Sequence, residues 1–286
     1  MLRKFAFLAL FFCVQTFAQC NSQDAECVPV GEWQLSVAVG AGVLTNPLHG
    51  GKHIPLVIIP YVSYYGDKLF LENTTAGFTL VDKPTWNVST VLQLNSEQAY
   101  FERWHPNNIL VGNMQASFIN GEIAADSNQR SIDISEVSKR KWAIDGGILV
   151  NWYINGSSQL STEFLHDVTN VYKGSLASFR YTKVFSLNQV QDSILKLGFG
   201  ASWKSQQLTD YYYGIDERDT ENAMLYYRAS SGWSQNISLA YMKKLTSNWQ
   251  LKVNIKREFL PTAITDSPLV KTHHVDTLFF GVKYVY

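Results

Sequence analysis

The chain has 286 residues and a formal net charge of zero, with 24 basic and 24 acidic side chains. This balance gives no electrostatic reason to expect nucleic-acid binding. The length suits one large all-β domain. Charged residues make up only 17% of the chain and aromatic residues 14%, and with only 8 Pro and an ordinary 18 Gly the chain is neither disordered nor collagen-like.

The N-terminus has the features of a cleaved secretory signal. Arg3 and Lys4 precede an apolar run from Phe5 to Val14, and the small residue Ala18 follows before the expected cut. The run is too short for a membrane-spanning helix, which needs roughly 20 residues. We therefore predict three parts: a signal peptide at 1–18, a periplasmic segment at 19–32 and a single domain at 33–286.

Two cysteines, Cys20 and Cys27, remain after the predicted cleavage. Export places them in an oxidising compartment, which favours one small disulfide between them. A lipid anchor on Cys20 is the alternative, but Gln19 stands where a small residue is preferred. Two cysteines without a second pair of ligands do not make a metal site, so no metal is predicted.

Apolar and polar residues alternate through the rest of the chain, in segments of roughly ten residues. In the segment from Trp249 to Phe259, Leu251 and Val253 alternate with Lys252 and Asn254. Successive side chains of a strand point to opposite faces, so such a segment has one apolar and one polar face. Segments of this length suit tilted strands that cross a membrane. The predicted strands are 33–44, 54–65, 68–74, 77–81, 85–95, 142–154, 157–166, 175–185, 193–204, 233–243, 248–257 and 275–286.

These twelve segments predict a transmembrane antiparallel up-and-down β-barrel. The third and fourth segments are short, and if they form one bent hairpin the barrel has ten strands; both counts are even, as in bacterial barrels. Connection lengths agree with this topology. Numbered from the N-terminus, the even connections are short, such as 66–67 and 155–156. The odd connections include the long ones, 96–141, 205–232 and 258–274. This alternation is typical of outer-membrane barrels and predicts that both termini face the periplasm.

Tryptophans recur near the ends of the predicted strands, as expected for aromatic girdles at the two lipid–water boundaries. The apolar faces would then contact lipid, and the polar faces would line the lumen. Two interpretations of the lumen stay open, a path that selects anions or a hydrated and electrically balanced interior. The lysines predicted to face it are Lys196, Lys204, Lys252 and Lys256.

Motifs for cofactor or metal binding are weak. Gly40-Ala41-Gly42 lies in a strand pattern without the following helix that a dinucleotide site requires, so small residues in a crowded barrel explain it better and no cofactor is predicted. His273 and His274 fall in a predicted loop, where solvated side chains are the simpler interpretation.

A serine hydrolase is a further alternative. Some outer-membrane barrels hydrolyse lipids with a Ser–His pair and an acid, and here His166 precedes Asp167 in a serine-containing region. The chain has no GxSxG motif, and nothing in the sequence places a nucleophile within hydrogen-bond reach of His166. We therefore predict that the protein is not an enzyme and has no catalytic residues.

Two motifs in the last third of the chain carry a family resemblance. DYYYGIDERD spans Asp210 to Asp219, and DSPLV spans Asp266 to Val270, before a closing aromatic strand. In this order they resemble the MipA/OmpV family of outer-membrane proteins. The family usually ends in Phe, and the terminal Tyr of this chain keeps the aromatic signal for the barrel-assembly machinery. The motif positions are Tyr212, Tyr213, Gly214, Asp266, Ser267, Pro268, Leu269, Val270 and Tyr286.

The resemblance implies a barrel in the outer membrane of a Gram-negative cell. It also implies a non-enzymatic scaffold that joins a murein lytic transglycosylase to a penicillin-binding protein during peptidoglycan remodelling. The alternatives are a small-solute channel and an outer-membrane lipid hydrolase. The stretch 96–141 matches the family poorly, and within it 106–141 is the best candidate for a folded extracellular loop or an inward plug.

Overall fold

The computed structural model describes residues 30–110, 131–188 and 193–286, and these residues form a closed β-barrel. Strands that are neighbours in the wall pair antiparallel. β13 pairs with β1 from Ser36↔Val285 to Leu44↔Thr277, which closes the barrel. The strands are β1 (Trp33–Leu44), β2 (Ile54–Pro55), β3 (Ile58–Tyr65), β4 (Leu69–Glu72), β5 (Thr75–Lys83), β6 (Trp86–Leu94), β7 (Ile144–Asn155), β8 (Ser158–Asp167), β9 (Ser175–Asn188), β10 (Ser193–Lys204), β11 (Gly232–Lys244), β12 (Trp249–Phe259) and β13 (His274–Val285).

The wall of the barrel has twelve strands, because the two-residue β2 pairs only with β1. The predicted barrel is therefore confirmed, and the short β4 and β5 are separate strands. The predicted strand 54–65 is wrong in one detail, since a bend at Leu56 and Val57 interrupts it. The bent backbone still bonds to β1 through Leu56 N–H to Gly42 O at 2.9 Å and Gly40 N–H to Val57 O at 2.9 Å.

The connection between the predicted strands 77–81 and 85–95 is also displaced. β5 carries an irregularity between Thr79 and Val81, where an extra residue lengthens the strand. As a result Lys83 pairs with Trp86, and the turn contains only Pro84 and Thr85.

Gly40 and Gly42 lie inside β1, opposite Gly281 and Phe279 of β13. A Cβ atom on Gly40 would come within 2.2 Å of the Phe280 carbonyl oxygen. Close approach of two strands thus explains the glycines, in agreement with the prediction that they fit a crowded wall.

Aromatic residues form a girdle at each end of the wall. At the end that carries the termini, Trp86 pairs with Trp152, and ring centroids lie 5.1 Å apart in Trp33–Tyr64 and 5.0 Å apart in Trp249–Tyr284. At the opposite end, Trp203 pairs with Trp233, whose ring lies 6.2 Å from that of Phe179. Aromatic residues at both ends of the wall are typical of an outer-membrane barrel.

The connections at the end opposite the termini fold together into a cap, which consists of residues 45–57, 95–110, 131–143, 168–174, 205–231 and 260–273. The main hydrophobic core lies largely in this cap, around fully buried residues such as Leu48, Leu208 and Ile264. Among the described residues, no helix is long and apolar enough to cross a bilayer. The short helices of the cap are Glu97–Tyr100 and Ala223–Leu225 (both 3-10), α1 (Pro106–Ile109), α2 (Gln206–Tyr213) and α3 (Thr262–Thr265).

Candidate functional site: the cap and the lumen

Helix α2 places two of the family-motif tyrosines at the centre of the cap. The helix begins at Ser205, whose side chain accepts the N–H of Leu208, and it ends before Gly214. A Cβ atom on Gly214 would lie 2.3 Å from the Asp210 carbonyl oxygen, so this position suits glycine. Tyr212 and Tyr213 are fully buried.

The two family motifs contact each other directly. The hydroxyl of Ser267, a fully buried residue, donates to the carbonyl oxygen of Tyr213 at 2.6 Å. Pro268 O accepts the N–H of Ile132 at 3.0 Å, and Leu269 O accepts that of His49 at 2.8 Å. The DSPLV motif thus contacts three other segments of the cap, 205–231, 131–143 and 45–57.

Asp266 and Tyr286 are the motif positions that this arrangement does not include. Asp266 is exposed at the end of α3, and Tyr286, 76% exposed, lies at the opposite end of the barrel. The motif positions are therefore not a single site.

A buried ionic network connects the cap to the barrel wall. Lys204 Nζ, at the end of β10, lies 2.7 Å from Glu97 Oε1 in the cap and 3.7 Å from Glu258 Oε1 on β12. Lys256 Nζ lies 3.2 Å from Glu258 Oε2. The Tyr213 hydroxyl donates to Glu97, and burial together with the Glu97 charge raises the pKa of Tyr213 well above its ordinary value. This network ties both motif and cap to the wall.

A second ion pair holds the cap together internally. Arg140 Nη1 lies 2.9 Å from Asp219 Oδ1, and Nη2 lies 3.1 Å from Oδ2. The two side chains are 4% and 0% exposed. Arg140 Nη2 also donates to the Gly214 carbonyl oxygen at 3.0 Å, so the pair joins segments 131–143 and 205–231 at the end of α2.

Below the cap, the lumen contains a polar cavity of about 670 Å³. Lys204 and Lys256 line it, as predicted from the strand alternation, and Ser, Thr, Asn and Gln side chains form much of the remaining lining. Within the residues that the structure describes, no group of three or more His, Cys, Asp or Glu is placed to hold a metal ion. The polar lining suits water and polar solutes better than apolar ones.

The proposed hydrolase residue His166 lies on β8 with its side chain exposed. Its Nδ1 atom lies 2.9 Å from Ser175 Oγ, a contact that the sequence alone did not indicate. Among the described residues, no acid orients the other ring nitrogen, and Asp167 instead accepts the hydroxyl and backbone N–H of Thr169. The pair has a candidate nucleophile and base without the third group of a triad.

Sequence reasoning missed the residues that fix the cap, above all Glu97, Arg140 and Asp219. They lie in segments without periodicity. Asp219 ends the DYYYGIDERD motif, but nothing in the sequence indicates that it pairs with Arg140. The nearest signal was the prediction that 106–141 forms a folded extracellular loop or an inward plug. Its described residues contribute to the cap, while 111–130, like Cys20 and Cys27, lie outside the described residues.

A closed antiparallel barrel with aromatic girdles, a polar lumen and a folded cap defines a β-barrel protein of the outer-membrane type. The family described as "MltA-interacting protein MipA" matches residues 37–286, and the chain belongs to this family. The predicted family membership is confirmed.

Similar proteins from other bacteria are consistent with this class. "Putative outer membrane protein YiaT" of Escherichia coli K12 is 24% identical over 256 residues, covering 88% of this chain and 90% of the relative. "MltA-interacting protein" of the same strain is 21% identical over 257 residues, with the same coverage of both chains. "Outer membrane protein Omp26La" of Vibrio anguillarum is 24% identical over 156 residues, and the match spans 59% of that protein. The chain is thus an outer-membrane barrel protein.

The chain is also similar to solved outer-membrane channels. An outer membrane channel from Pseudomonas putida F1 matches with a TM-score of 0.42 and 12% identity, covering 94% of this chain and 100% of that one. The CymD monoaromatic hydrocarbon channel matches with a TM-score of 0.39 and 11% identity, covering 90% of this chain and 88% of that one.

Proposed function

We propose that the protein is a non-enzymatic scaffold, which holds a murein lytic transglycosylase and a penicillin-binding protein beneath the outer membrane. The observation that carries the proposal is the cap, whose six segments pack in one hydrophobic core over one end of the lumen and are further held by two buried ion pairs. A barrel closed in this way is better suited to anchoring than to free diffusion of solutes. The name of the relative in Escherichia coli, "MltA-interacting protein", supports the same role.

The proposed scaffold function requires the end of the barrel that carries both termini to face the periplasm, where murein enzymes act. The partner would then contact the end of the barrel with the short turns, which include Gly66-Asp67 and 245–248. Leu245, 51% exposed, offers an apolar contact in the last of these turns. A specific interface needs roughly 800 Å² per partner. The predicted N-terminal segment 19–32 would add to the surface that the turns present.

A crosslinked pull-down from cell envelopes tests the proposal. The mature protein should recover a murein transglycosylase, and Leu245→Glu should reduce recovery. The matched control is Met224→Glu, since Met224 is 62% exposed in the cap at the opposite end. Repeated absence of murein enzymes, or equal loss in both variants, would contradict the scaffold.

A small-solute channel is the second candidate, and the polar cavity of about 670 Å³ in the lumen favours it. Conductance in planar bilayers separates the two functions. A capped scaffold should give no steady single-channel current. A steady current through the parent protein would make the channel the better conclusion.

A further inference from the structure

A group of basic residues lies on the inner wall, away from the ionic network of the cap. Lys252 of β12 and Lys283 of β13 are on the lumen-facing side of neighbouring strands. Lys196 of β10 adds a third positive charge on the same side, because it pairs with Ala240 of β11, which pairs with Asn254 of β12. We call Lys196, Lys252 and Lys283 the lysine cluster. Lys283 is close to the C-terminus, so the cluster lies toward the end of the barrel that carries the termini.

The strand register surrounds Lys252 and Lys283 with uncharged residues. Lys252 is paired with Met242 on one side and Gly281 on the other. Lys283 is paired with Gln250 and Ala38. These neighbours supply no negative charge.

Over residues 30–110, 131–188 and 193–286, no carboxylate forms an ion pair with Lys252 or Lys283. Both side chains are only partly exposed. The ammonium groups of Lys252 and Lys283 repel each other and are partly removed from water, and both effects raise the free energy of the folded barrel. An anion bound between them would offset this cost. Elsewhere on the same wall, the charge of Lys204 is compensated by two carboxylates within 4 Å.

A hydrogen-bond donor without a partner lies beside the cluster. Ser36 of β1 is 7% exposed, and its hydroxyl has no hydrogen-bond partner among the described residues. It is paired with Tyr61 of β3, and the Tyr61 ring centroid lies 5.4 Å from Lys283 Nζ. Ammonium groups and a hydroxyl are the kinds of donor from which an oxyanion accepts hydrogen bonds.

We propose that the lysine cluster and Ser36 bind a small polyvalent oxyanion of the phosphate class inside the lumen. Phosphate oxygens can accept from two ammonium groups and one hydroxyl at once, whereas a chloride ion offers a single acceptor centre. The site is distinct from the turns to which the scaffold partner would bind, and it does not depend on that function.

The test uses the purified full-length barrel in detergent, with pyrophosphate as the probe and calorimetric titration as the readout. Pyrophosphate should bind, and Lys252→Met and Lys283→Met should each weaken binding about tenfold or more, because each removes one charge and keeps the aliphatic stem. The matched control is Lys52→Met, which removes the same charge from an exposed residue of the cap. Short-chain phosphatidic acid that displaces pyrophosphate would identify a lipid headgroup as the source, and failure to displace it would identify a soluble phosphate.

A stability measurement keeps the test decisive if a variant folds poorly. Without anion, Lys252→Met should be at least as stable to heat as the parent, because it relieves repulsion, and pyrophosphate should stabilise the parent more than the variant. Absence of pyrophosphate binding to the parent overturns the proposal. Equal binding by the parent and both cluster variants, or an equal loss in Lys52→Met, also overturns it.

Discussion

Replacing Arg140 with Met should open the cap locally while the barrel stays closed. The guanidinium forms two contacts, of 2.9 Å and 3.1 Å, with Asp219, and both side chains are almost fully buried. Removing one partner leaves the Asp219 carboxylate as an uncompensated buried charge, at a cost of about 3–5 kcal/mol. Since about 1.4 kcal/mol is a factor of ten, the equilibrium for cap opening should rise at least about a hundredfold.

The neighbouring pair Arg218–Asp216 provides a matched control. Its atoms approach to 2.7 Å, but the side chains are 64% and 47% exposed. Solvent screens such a pair, so Arg218→Met should cost only about 0–1 kcal/mol, although it also removes one guanidinium group from the cap.

Hydrogen exchange of segment 205–231, measured in micelles, reports the opening free energy directly. Arg140→Met should lose protection there and keep it in the strands of the wall. Combining it with Asp219→Asn should recover much of the loss, because the buried charge is then removed. Equal protection in Arg140→Met and Arg218→Met, or no recovery in the double variant, would refute the electrostatic reasoning.

Three further results are expected. Burial lowers the pKa of His105 below its ordinary 6.5, so as the pH falls through 6.5 the opened cap binds a proton at a higher pH than the closed cap does. The contribution of His105 to cap stability should therefore be constant above about pH 6.5 and fall below that pH. His105→Asn, which keeps an N-cap acceptor, should lessen this fall, as measured by hydrogen exchange of the cap. Ser267→Ala removes the 2.6 Å bond to Tyr213 O and should destabilise the cap by about 1–3 kcal/mol in the same assay. His166→Ala should leave any phospholipid hydrolysis by the purified protein at the background level of the parent, and a parental activity that this change abolishes would show that the His166–Ser175 pair is catalytic.

The wall of the barrel could be predicted because each strand repeats one physical requirement. One face meets lipid and the other the lumen, so Leu251 and Val253 alternate with Lys252 and Asn254 over the whole of β12. The errors occur where the period is broken, at the bend of Leu56 and at the extra residue near Thr79. Alternation gives no information at such positions.

The cap could not be predicted in the same way, because its contacts join distant positions that share no period. Arg140 and Asp219 are 79 positions apart, and Tyr213 and Glu97 are 116 apart. The family motif marked Tyr213 and Ser267 as special but gave no role for them. Their role became apparent from the hydrogen bond between them and from the ion pairs around it. The predicted disulfide of Cys20 and Cys27 stays a prediction, which the mass shift on reduction and alkylation of the mature protein can check.

The positions of the motif and of the proposed partner surface lead to a separation of effects. Tyr213 and Ser267 lie in the cap, whereas Leu245 lies in a turn at the opposite end of the barrel. Tyr213 and Ser267 therefore cannot contact a partner at that end. They act by keeping the cap closed. We expect Ser267→Ala to change hydrogen exchange of the cap without changing partner recovery, and Leu245→Glu to do the reverse. Loss of partner recovery in Ser267→Ala, with the wall intact, would move the interface to the cap and reverse the proposed orientation.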